Sequence, residues 1–109
     1  MTKRSLLWLG VLAMLSLPMA NAKSYSIAFA GPTMVGNARL AAGEYSLKVE
    51  GSNAVFTKVD NNKSVTAPVK IESSDKKYGV TMVETVQQGA TAHVTDIQLG
   101  GSTTKLDFN

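Results

Sequence analysis

The chain has one histidine, His93, and no cysteine, so thiolate chemistry is excluded and little remains for acid–base work. A Ser–His–Asp arrangement would have to use His93, Asp96 and one of the serines. No G-x-S-x-G elbow is present, and the serines fall in turns or on polar strand faces. His93 lies between Ala92 and Val94, where a regular strand turns it to the opposite face and makes it a surface imidazole. Glu84 shares an alternation face with Val80, Met82 and Val86. If that face is the core, Glu84 must be paired, protonated or placed at a sheet end. If Thr81, Val83 and Thr85 form the buried face instead, Glu84 is solvated. Counting back from a turn at Gln88-Gly89 sets Glu84 opposite Thr91 to His93. The sharpest local expectation is therefore a polar cluster of Glu84, His93 and Asp96 with a Glu84–His93 cross-strand pair, whose bland form is a surface ion pair.

Other site chemistries fare worse. Asp60, Asn62 and Ser64 alternate like the start of a calcium loop, but Val65 stands where the loop glycine belongs and Ile71 where its last carboxylate belongs. Zinc lacks ligands, and no glycine-rich loop joins a strand to a helix, so no metal or cofactor is expected. Asn62-Lys63-Ser64 matches an N-glycosylation sequon.

The +3 net charge invites a nucleic-acid reading until the chain is divided. Lys3 and Arg4 precede an uncharged run from Leu6 to Leu17, Pro18 ends it, and Ala20-Asn21-Ala22 supplies small residues before Lys23. A positive start, an apolar run and an A-x-A site predict a signal-peptide helix over residues 1–22, cleaved between Ala22 and Lys23. The run is too short for a membrane span, and without a cysteine no lipid can be attached there. The expected product, residues 23–109, is secreted or periplasmic. It carries nine basic and eight acidic residues, which removes the case for nucleic acid.

What must position the remaining side chains is a single all-β domain. Residues 23–109 hold ten Val and nine Thr against four Leu, and alternation replaces any helical period. Tyr25, Ile27 and Phe29 mark one strand, and Tyr45, Leu47 and Val49 the clearest one. Gly51-Ser52-Asn53 turns into Ala54–Val59, Asp60–Lys63 into an alternating run from Val65 to Ile71, and Ser73–Lys77 into a long strand marked by Tyr78, Val80, Met82 and Val86. Ala90–Leu99 and Ser102–Phe108 form the last hairpin around Gly100-Gly101. Within Gly31–Gly43 there is room only for a short strand at Ala38–Leu40. Pro68 implies an edge or a bulge. The phase slips between Ala92/Val94 and Ile97/Leu99, which requires a bulge near Thr95-Asp96 or a strand buried on both faces. Seven or eight short strands with close turns predict an antiparallel β-sandwich, or a small up-and-down barrel, with a meander over residues 44–108. The runs are too short for membrane-spanning strands.

Leu40-Ala41-Ala42-Gly43-Glu44-Tyr45-Ser46-Leu47-Lys48-Val49 resembles the turn-and-strand element of carboxypeptidase-regulatory-like, transthyretin-like and CNA-B-type β-sandwich modules, in which the glycine makes the turn and the tyrosine begins a strand. The resemblance implies a non-catalytic accessory, adhesive or structural domain and transfers no functional residue. The expected function is a structural or binding role at the cell envelope or outside the cell, with an envelope glycan as one partner. The alternatives are a self-associating subunit of a fibre or matrix, whose Lys23–Ala30 strand pairs edge to edge, and a small hydrolase.

Overall fold

The computed structural model describes residues 23–109; the signal-peptide reading, with Ala20 and Ala22, lies outside them. Ten strands fill two sheets: β1 (Tyr25–Phe29), β2 (Thr33–Val35), β3 (Ala38–Leu40), β4 (Gly43–Glu50), β5 (Asn53–Lys58), β6 (Ser64–Pro68), β7 (Lys70–Ser73), β8 (Met82–Gln88), β9 (Thr91–Gln98) and β10 (Thr104–Asp107). The first sheet runs β1-β4-β5-β6; the second runs β3-β2-β9-β10-β7, with β8 on the remaining side of β9. The fold is therefore a sandwich.

Period-2 patterning selects what lies between the sheets. Ile27 and Phe29 of β1, Tyr45 and Leu47 of β4, and Ala54 and Phe56 of β5 meet Val35, Val94, Ile97, Leu99 and Leu106 in one buried cluster. Phe29 packs at a tilt against Tyr45, with ring centroids 5.7 Å apart, and Phe56 against Phe108 at 6.2 Å. Three hairpins close through two residues, at Gly36-Asn37, Gly51-Ser52 and Gly89-Ala90. In each, glycine comes first with φ near +60°, the geometry that suits the twist of tight hairpins. The Leu40–Val49 element also has a local cause: Tyr45 is buried, and its hydroxyl donates to the carbonyl of Ala41 at 2.7 Å. That bond ties the turn to the start of β4, as a tyrosine corner does.

Three expectations need correction. The run from Val65 to Ile71 is two strands, because the chain crosses from the first sheet to the second at Val69, just after Pro68 ends the edge strand β6. The meander is therefore split in two, β4-β5-β6 in the first sheet and β8-β9-β10 in the second; β7 pairs with β10, and β8 follows without touching β7's ladder. Met34 lies in a strand, β2, that runs parallel to β9, with Thr33 opposite Ala92 and Val35 opposite Val94. The long strand starts at Met82, since Tyr78 is bound instead to the following turn: its N–H donates to Ser102 O and its carbonyl accepts from Gly101 N, both at 2.8 Å. The bulge is where the phase slip requires it. Glu84 opposes Asp96 while Thr85 opposes Val94, so Thr95 is the extra residue, and both Val94 and Ile97 are buried.

Candidate functional groove

Val83, Thr85 and Gln87 share the face of β8 that looks toward the first sheet, yet only Val83 packs against the core. The reason is geometric. β1 is the last strand of the first sheet, and beyond it nothing among the described residues covers β8. A groove of about 490 Å³ is left between the end of β1, with the Ala30–Thr33 corner, and the inner face of the β8–β9 hairpin, floored by Ala90 and Ala92. Its lining has no ionisable side chain; Thr33, Thr85 and Gln87 supply its side-chain polarity. Two of these are already engaged: Thr33 Oγ1 donates to Gly31 O at 3.0 Å and Gln87 Nε2 to Gly89 O at 3.3 Å. Such a surface offers van der Waals contact and neutral hydrogen bonds, without a nucleophile–base pair.

The residues singled out by sequence lie on the other face of the second sheet. Met82, Glu84 and Val86 are exposed. Glu84 stands opposite Asp96, and His93 opposite Val86 on one side and Met34 on the other. The Glu84–His93 register fails because the turn is Gly89-Ala90, one residue later than Gln88-Gly89, and because the Thr95 bulge then shifts Glu84 one further place. Glu84 and Asp96 are thus brought together, and His93 opposes neither.

Asp107 also opposes Asp96, and Lys70 opposes Asp107, so Glu84, Asp96, Asp107 and Lys70 form one row across four strands. Lys105 balances the carboxylates, with Nζ 3.5 Å from Glu72 Oε1 and 3.7 Å from Asp96 Oδ2. Glu72 above all holds the Lys105 ammonium above the ordinary value of 10.5, against an opposing effect of desolvation and with a smaller contribution from Asp96. Asp96 Oδ1 is buried without a hydrogen-bond partner. This is a charge ladder on a sheet surface. Among the described residues no three His, Cys, Asp or Glu side chains are placed to hold a metal. At the Asp60–Ser64 turn, the Asp60 carboxylate lies 3.5 Å from Lys58 Nζ.

The groove depends on β2, a strand not expected within Gly31–Gly43, whose approach to β9 builds the corner. The signal was available: Thr33-Met34-Val35 and Ala38-Arg39-Leu40 flank Gly36-Asn37 as a hairpin does. Among the described residues no helix is long and apolar enough to cross a membrane. No family model, curated protein or solved structure matches the chain.

Proposed function

We propose that the protein is an exported, non-enzymatic β-sandwich that serves a structural or binding role at the cell envelope or outside the cell. The observation that carries this reading is the groove beside β8: it holds about 490 Å³, it has no ionisable lining, and it is bordered by strand edges rather than by reactive groups. Such a border suits an extended polymer better than a small substrate, because alternate backbone amides and carbonyls along a strand edge recur at the spacing of another chain. The placement of His93 opposite Val86, outside the groove lining, argues against hydrolysis. The first residues supply the case for export through the signal pattern ending at Ala22.

The full chain should be expressed in a secreting host and the exported product weighed. A mass starting at Lys23, with retention on envelope polymers that is lost when Thr85 and Gln87 are both replaced by Ala, supports the reading. A product that stays inside the cell at full mass, or one that turns over esters or peptides and loses that activity in His93→Ala, refutes it. The β8 edge also favours self-association as a second reading.

A further inference from the structure

We propose that the outer edge of β8 pairs with β8 of a second copy of this chain, antiparallel about Val86, so that two second sheets become one. The inference rests on the structural reading above and names the partner. Sheet edges invite such pairing unless they are short, charged, interrupted by proline or covered. By that measure the edges of this protein differ. β3 has three residues and carries Arg39, β6 ends in Pro68, and β7 has four residues with Lys70 and Glu72. β8 has seven residues, a single charge at Glu84, and neither proline nor glycine. Among the described residues no strand pairs with its outer side. β1 is also uncharged, but it is shorter and has already buried Ile27 and Phe29, so another strand there would gain little beyond backbone bonds. β8 offers more, since Met82 is 46% exposed and Val86 49%.

The edge is complementary to itself. In a two-residue hairpin the closing pair, here Gln88 and Thr91, exchanges hydrogen bonds. Gln88 and Val86 therefore direct their backbone groups at β9, while Thr85 and Gln87 direct theirs outward. A two-fold about Val86 sets Thr85 against Gln87 of the other copy twice, each pair exchanging both backbone bonds. On the outer face Val86 meets Val86, and Glu84 meets Gln88, an acceptor against an amide donor. Centring the two-fold on Thr85 instead would bring the two Glu84 carboxylates to diagonal positions. With nine basic and eight acidic residues in 23–109, little net charge holds two copies apart. The grooves of the two copies would then lie side by side beneath one sheet.

The chain's lack of cysteine makes a sensitive test available. Facing residues at a non-hydrogen-bonded antiparallel position have Cα atoms about 4.5 Å apart, within disulfide range. Exported Val86→Cys protein should therefore oxidise to a covalent dimer about tenfold or more faster than Val59→Cys, an exposed control. Light scattering of the unsubstituted protein should show a concentration-dependent dimer, and Val86→Lys should weaken it about tenfold or more with an unchanged circular dichroism spectrum. Equal oxidation of the two cysteine variants, or a monomer at every concentration, overturns the proposal. So does an envelope polypeptide occupying the β8 edge of a monomer, which would leave the binding role standing. Failure of export would sink that role and leave the dimer standing.

Discussion

Two hairpins of this protein share a design and meet opposite fates. β4–β5 and β8–β9 are both long and antiparallel, and each closes through a two-residue turn led by a left-handed glycine, Gly51 at φ 62° and Gly89 at φ 64°. In β4–β5 both strands are interior to the first sheet, and Tyr45, Leu47, Ala54 and Phe56 are buried. In β8–β9 the inner strand buries Val94 and Ile97, while β8 contributes only a half-buried Val83. Hairpin formation is thus a local matter of turn chemistry and alternation, whereas burial depends on which strands flank the hairpin and what lies across the sandwich. One hairpin became core, and the other left its outer strand, with Met82 and Val86, at the surface.

The comparison can be broken most severely at its buried end. Phe56→Ala removes a fully buried ring that touches Phe29 and Phe108, and denaturant melts should report a loss of about 3–5 kcal/mol. Gly100→Ala comes next. Its Cβ would lie 2.5 Å from Thr81 N and 2.6 Å from Val80 C, where only backbone can give way, and Gly100 N–H donates to Thr81 Oγ1 at 3.0 Å. A loss of about 1–3 kcal/mol is expected, with hydrogen exchange accelerating first along β8, because this contact anchors the segment leading into it. Val86→Thr, by contrast, should leave folding stability within about 0.5 kcal/mol at concentrations where the protein is monomeric. A loss comparable to that of Phe56→Ala would mean that β8 belongs to the core after all.

The smallest effect concerns charge. Because the folded state holds the Lys105 proton above 10.5, the stability it contributes is complete below that pH and fades as pH rises through the raised folded value. The melting temperature of the unsubstituted protein should exceed that of Lys105→Met at pH 7 to 9, and the gap should narrow above pH 10.5. A gap constant across that range would show that the ion pairs with Glu72 and Asp96 contribute nothing.

Much of the fold is legible in the residues, and the failures have a common cause. Tyr25-Ser26-Ile27-Ala28-Phe29 and Tyr45–Val49 read as strands because each alternates over its whole length. The slip near Thr95 is legible because Ala92 and Val94 lie out of phase with Ile97 and Leu99, but the residues alone allow either a bulge or a strand buried on both faces. Val69 was not legible as a crossing point, since alternation continues unbroken from Val65 to Ile71 and a strand that changes sheets keeps its own pattern. The candidate site was less readable still. Glu84 and His93 drew attention by residue type, but their register depended on a turn placed one residue too early. The groove is lined mostly by small and neutral residues that carry no chemical signal until the sheets are assembled.

An all-β chain, the alternating side chains available for a core and a phase slip near Thr95 are written in the residues themselves, because each follows from the backbone and side-chain preferences of a few neighbours. Tertiary structure alone decided that β2 lies parallel to β9, that the chain changes sheets at Val69, and that β8 is left at an edge beside an uncovered groove. Those outcomes turn on how many strands each sheet holds and where they stop, which are properties of pairings between residues far apart in the chain.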